Sequence, residues 1–201
     1  YTRGWKDWVV GASYLWEGQA VLAEDALRAS LVRAEGDSGR RSPVAVMLAS
    51  VLAATLWERD LAAEAGALLS NRLDVLESRA APDALIMGCI TAARVASLGG
   101  MERRSLDLLE NLHALGSVRD LPRLSVAALA ELVRVHALRA HVEACGSSAQ
   151  RLEDLVACTA PERWGMLAPL VESQVALARA YAALVRQDWR RALQLLEAAG
   201  A

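Results

Sequence analysis

The sequence predicts an all-α protein, a solenoid of about five helix pairs, and three of its features carry this. A small residue recurs at Ala23, Ala65, Ser105 and Cys145 in steps of 42, 40 and 40 residues, and again at Ala192 after 47. Larger apolar residues flank each recurrence at helical spacing, with a turn-forming residue ahead of it. No stretch alternates apolar and polar residues as a strand does, and the chain is rich in Ala, Leu, Arg and Glu and has no Phe. At 201 residues and 54% hydrophobic the chain is long enough for one or two globular domains. The regular period favours a single array over residues 1–201, in which each unit buries its faces against its neighbours.

The clearest unit is Gly11 to Leu31. Val10-Gly11 with Tyr14 three places on, a break at Gly18, then Ala23 and Leu27 resemble the tetratricopeptide pattern L-G-x2-Y…A-x3-F. Asp7 stands where that pattern has Trp, and Trp8 comes one place late. Gly11 and Ala23 let two helix backbones approach, with Tyr14 and Leu27 filling the groove and Gly18 turning the chain. The ladder returns as Leu52, Ala53 and Leu56, a turn at Asp60, then Ala65 and Leu69. It returns as Ala92, Ala93 and Ala96 with Gly100 and Ser105, and as Leu132, Val133 and His136 with Ala140 and Cys145. A last, less regular copy is Ala180 to Ala183, a turn at Gln187-Asp188, then Ala192 and Leu196. Because the common period of this repeat is about 34 residues, these units need longer helices or connections.

In order along the chain, the first helix is expected over Gly4 to Trp16 and its partner over Gln19 to Ala34, followed by a flexible turn at 36–39. Ser42 as cap with Pro43 just inside starts the next helix, which runs to Glu58, and its partner runs from Leu61 to about Glu77. Ala81-Pro82-Asp83 opens the third pair, which reaches Leu98, turns at Gly99-Gly100 and continues from Glu102 to Leu115, with Gly116 ending it. Leu121-Pro122 opens the fourth pair, to Arg139 and then from Val142 to Val156. Pro161 opens a long last section, with Gly165 and Pro169 as places where it can split, reaching Arg186 before Asp188 caps Trp189 to Ala198.

A formal charge of −2 gives little electrostatic reason to expect nucleic acid on this chain. No apolar run reaches the roughly 18 residues of a membrane span, and no signal-peptide pattern opens the chain. Cys89, Cys145 and Cys158 are odd in number and form no C-x-x-C pair, which fits a reducing, cytoplasmic setting. Cys145 in a small-residue slot and Cys89 on an apolar face read as buried hydrophobes. There is no H-E-x-x-H, no G-x-S-x-G and no phosphate loop, and the single lysine is Lys6, so no catalytic residue or cofactor is expected. His141 and Cys145 share one helical turn, but two candidate ligands do not make a metal site, and none is expected.

Asn71 to Glu77 with Ser78-Arg79, Arg103 to Glu110, and Gly116 with Leu121 to Leu124 resemble the helical repeat region of the MalT-type, large ATP-binding LuxR-family transcriptional regulators. In that family an ATP-binding module precedes the repeats and a helix-turn-helix domain follows them. The resemblance implies an excised piece of a longer regulator, touching its other domains, sensing an inducer and restraining activation, with maltotriose the ligand of the maltose-regulon member.

In a superhelix of this kind the first helices of the pairs line the concave wall. Trp5, Trp8 and Trp16 are expected on that wall, with Trp57 near the equivalent place in the second unit, Arg94 and Arg134 equivalent in the third and fourth, and Tyr181 in the fifth. Aromatic rings beside Arg groups suit a sugar or an anionic ligand, so the expected partner is a small-molecule inducer or a regulatory protein. The competing account buries Trp5 and Trp8 in packing and pairs Arg94 and Arg134 with Glu58 or Glu131. A plain peptide-binding scaffold is the alternative function.

Overall fold

The computed structural model describes residues 2–200. Every regular element among them is a helix, as the composition and periodicity predict. The chain divides into two compact units, Tyr1–Leu108 and Leu109–Ala201.

The first unit holds α1 (Thr2–Trp16), α2 (Ala20–Ser38), α3 (Pro43–Glu58), α4 (Ala62–Leu69), α5 (Leu73–Arg79), α6 (Pro82–Leu98) and the start of α7 (Glu102–Val118). Its centre is α3, apolar on nearly every side and packed against α1, α2, α4, α5 and α6. Ser42 starts this helix by accepting the Ala45 N–H at 3.3 Å, with Pro43 at the first helical position, as the Ser-Pro signal predicts. Its buried hydroxyls are satisfied locally: Ser50 Oγ donates to the Met47 carbonyl at 2.7 Å and Thr55 Oγ1 to that of Val51 at 2.9 Å. The second unit holds the rest of α7, then α8 (Pro122–Leu138), α9 (Val142–Cys158), α10 (Ala168–Val185) and α11 (Trp189–Gly200). There α8 packs on α9 and α10, and α10 packs on α11.

The repeat is written most plainly in its turns. Gly18, Asp60, Gly100, Ala140 and Gln187 all take positive φ, between 56° and 75°, between the two helices of a pair. At each, the next N–H reaches back five residues: Gln19 to Tyr14, Leu61 to Leu56, Met101 to Ala96, His141 to His136 and Asp188 to Ala183, at 2.8–3.0 Å. This is the left-handed helix stop that satisfies the last carbonyls. Ala140 is the least suited residue of the five, since a left-handed Cβ costs about 1–2 kcal/mol and alanine has no side-chain amide or carboxyl to offset it. Ala140→Gly is therefore predicted to stabilise the protein by about 0.5–1 kcal/mol, read as a higher urea midpoint at unchanged slope.

Three sequence expectations are corrected. The second helix of the second pair is not continuous from Leu61 to Glu77: it breaks at residues 70–72, where Asn71 takes φ 59°, and restarts as α5. The break turns the Arg72 side chain into the interior, where it is 1% exposed and paired with Glu35 of α2. The expected turn at 36–39 is mostly helix, since α2 continues through Ser38, and only Gly39 closes it. Nor does Gly116 end α7. It sits inside the helix, against Ser125 of α8, and the stop falls at Asp120, φ 54°. At the last section Pro161 and Gly165 give two short 3-10 turns, Pro161–Arg163 and Gly165–Leu167, ahead of α10. These extra residues account for the longer fourth step, from Cys145 to Ala192. Asp188 caps α11 as expected, Oδ1 accepting the Arg191 N–H at 3.1 Å.

Candidate functional site

The first helices of the pairs carry the residues singled out from the sequence, and the left-handed turns give their register. Six places before each turn stand Ala12, Ala54, Arg94, Arg134 and Tyr181, so the last three are equivalent, as expected. Ala54, not Trp57, is the counterpart of Arg94 in the second pair. Trp57 lies three places before its turn and Trp16 two places before its own.

In the first unit these residues form two groups. At the N-terminal ends of α1, α3 and α6, Trp5 borders a small cavity of about 80 Å³ with Pro43, Val44, Met47, Arg79 and Ala81. Trp5 is 42% exposed and meets Trp8 edge to face, ring centres 5.9 Å apart. Trp8 itself is 5% exposed, so it belongs to the core and supports the Trp5 ring from behind. At the other end Trp16 is well exposed, Trp57 is half-buried, and Arg94 lies 3.8 Å from Glu58. Trp5 and Trp16 are separated by 11 residues of one helix, about 16 Å, so the tryptophans do not form one cluster.

In the second unit Arg134 Nε and Nη2 donate to Glu131 Oε1 at 2.8 and 2.5 Å. Glu131 is 5% exposed, so Arg134 is a cation paired with a buried carboxylate. Tyr181 is half-buried on α10. The ion pairs for Arg94 and Arg134 are thus those of the competing account, while Trp5, Trp16, Trp57 and Tyr181 keep ring surface open.

Titratable groups elsewhere are set by packing. Burial pushes the Cys89 thiol up to about 12, and burial also raises Cys145, whose Sγ donates to the Val133 carbonyl at 3.6 Å. Both are inert small hydrophobes. Among the described residues no three His, Cys, Asp or Glu side chains gather as a metal would require. His113 is held below its ordinary 6.5, first by burial and then by the charge of Arg151, against an opposing pull from Glu110. A histidine that resists protonation in the fold binds fewer protons there than in the unfolded chain. Its contribution is complete above about pH 6.5 and is lost as pH falls through the lowered value. Urea midpoints measured at pH 7.5 and 5.5 should fall with acid, and His113→Gln should lessen that fall.

Two grooves escaped the sequence reading. Each lies behind a mid-helix glycine six residues after a left-handed turn. Gly66 of α4 sits against Val95 of α6, beside a groove of about 600 Å³ that also meets Ala63, Met101 and Arg104. Gly146 of α9 sits against the Arg186 guanidinium, beside a groove of similar size lined by Arg179, Arg186 and Arg191. The shared glycine position was the available signal, but only the packed helices show what stands opposite.

No protein-family model matches the chain, and no curated protein sequence matches it. Among solved structures it is similar to the nearly identical TPR-like repeats of a putative kinesin light chain from Podosopora anserina. The TM-score is 0.65 at 17% identity, over 99% of this chain and 95% of that one. A single-substitution form of those repeats gives a TM-score of 0.66 at 17% identity, over 98% and 92%. These likenesses show the fold to be an all-α, tetratricopeptide-like solenoid. The resemblance to LuxR-family regulators finds no support among them.

Proposed function

We propose that this chain is a non-enzymatic protein-binding scaffold whose first helices hold a segment of a partner protein. The observation that carries this is the set of aromatic faces left open on those helices, Trp5, Trp16 and Trp57 in the first unit and Tyr181 in the second. Trp5 is backed by Trp8, and all four keep ring area open. Trp and Tyr are among the residue types that most often anchor partner side chains. Arg94 beside Glu58 adds a polar rim. The tetratricopeptide-like fold, which presents extended surfaces rather than a closed pocket, supports the same reading.

Peptides selected from a random display library on the immobilised full chain test it. Trp57→Ala and Tyr181→Ala should each weaken the selected peptides by about tenfold at unchanged melting temperature. Arg134 is left intact, because removing it would strip a buried carboxylate of its cation. Selected peptides indifferent to Trp5, Trp57, Arg94 and Tyr181 would contradict the proposal. The narrower reading, a single inducer-sensing domain cut from a cytoplasmic LuxR-family regulator, rests on the sequence resemblance alone. Calorimetric titration of small sugars and other metabolites, maltotriose among them, into the full chain tests that reading, and failure of all of them to bind would contradict it.

A further inference from the structure

The groove behind Gly146 has a chemistry that its counterpart behind Gly66 lacks. Both lie beside the second helix of a pair, with the floor made by the end of a first helix: Ala92, Val95 and Ala96 in one, Ala182, Ala183 and Arg186 in the other. The first groove is mixed, its apolar residues interrupted by Asp74 and by a single arginine, Arg104. The second is polar and brings together three guanidinium groups from α10, its C-terminal end and α11.

Its charges are unequally employed. Arg179 Nε donates to Glu153 Oε1 at 2.7 Å, so one cation and one carboxylate are mutually satisfied. Asp188 accepts the Arg191 backbone N–H at 3.1 Å, which commits that carboxylate oxygen to capping α11. Among the described residues the side chains of Arg186 and Arg191 have no acceptor. An added Cβ on Gly146 would lie 2.7 Å from Arg186 Nη2, so the bare backbone there gives the guanidinium its seat across α9. The result is a groove of about 600 Å³ whose own carboxylates, Glu153 and Asp188, serve Arg179 and the start of α11, which leaves the two forked donors of Arg186 and Arg191 without an acceptor.

We propose that this groove binds an acidic segment of a partner protein, two carboxylates engaging Arg186 and Arg191. The inference deepens the scaffold reading and rests on it. The planar fork of arginine matches a carboxylate with two parallel hydrogen bonds, and two such forks in one groove suit two acidic side chains of one segment. The groove behind Gly66, with the single arginine Arg104, offers no such pair of forks.

The test measures the full chain by fluorescence anisotropy with a labelled peptide of four Glu spaced by Gly-Ser, beside its Gln counterpart. The Glu peptide should bind about tenfold tighter than the Gln peptide and weaken steadily with salt. Arg186→Gln with Arg191→Gln should lower its affinity by about tenfold, whereas Arg40→Gln with Arg103→Gln, which removes equal charge elsewhere, should leave it unchanged. Equal binding of both peptides, or equal loss in the control pair, overturns the proposal. So does tighter binding of an oligo-deoxythymidine of equal charge through the same two arginines. Library peptides that depend on Trp57 and Tyr181 are measured on the same variants. If they still bind while the Glu peptide does not, the acidic groove fails and the scaffold reading stands.

Discussion

Glu35→Ala should cost the protein about 3 kcal/mol, far more than removal of a half-exposed glutamate ordinarily does. The reason is the partner left behind. Arg72 is 1% exposed, its Nη2 is held by Glu35, and its Nε and Nη1 have no acceptor. Burial is the main influence lowering its pKa, with Glu35 opposing and the charge of Arg40 adding to the shift. Without Glu35 a desolvated cation remains with nothing to balance it. Arg72→Met should by contrast be neutral or stabilising, because an apolar side chain of similar length suits the site once the charge is gone. The double variant should recover most of the loss, and urea denaturation of the four proteins closes the cycle. A loss in Glu35→Ala no larger than that in Arg72→Met would show that Arg72 is not the cause.

Gly116→Ala should destabilise by about 2 kcal/mol, although alanine is the better helix former by about 1 kcal/mol. A Cβ there would lie 2.3 Å from Ser125 Oγ and 2.8 Å from the Ser125 backbone nitrogen. The hydroxyl cannot simply swing aside without losing its bond to the His113 carbonyl at 3.1 Å, and the backbone atom cannot move without moving α8. Gly36, also inside a helix, has nothing within 4 Å of its missing Cβ, so Gly36→Ala should stabilise by about 0.5–1 kcal/mol. Opposite signs for the same substitution at two helical glycines, read by thermal melting, would separate packing from propensity.

These two glycines also show why the sequence was legible only in part. The five turns between paired helices were readable because each needs a left-handed residue at a constant distance from a small one, and both are local requirements. Gly36 and Gly116 look like such stops in sequence, yet one lies on an open helix face and the other in a helix crossing. Glycine permits a turn and a close approach equally, and only the neighbouring helix decides. The break between α4 and α5 gave no signal beyond Asn71, since its purpose is to carry Arg72 inward. At the site, the Arg134–Glu131 pair was legible because its partner stands three residues away on the same helix. The burial of Trp8 and the arginine groove were not legible, because both depend on which helices pack side by side.

The central claim is that a partner lies along the first helices, and photo-crosslinking tests it most directly. A library-selected peptide carrying benzoylphenylalanine at each position in turn would be irradiated with the full chain and the adducts mapped by mass spectrometry. The scaffold reading predicts adducts on the open faces of α1, α3 and α6 around Trp5 and Trp57, or on those of α8 and α10 around Tyr181. Adducts confined to α2, α4 and α9 would contradict it.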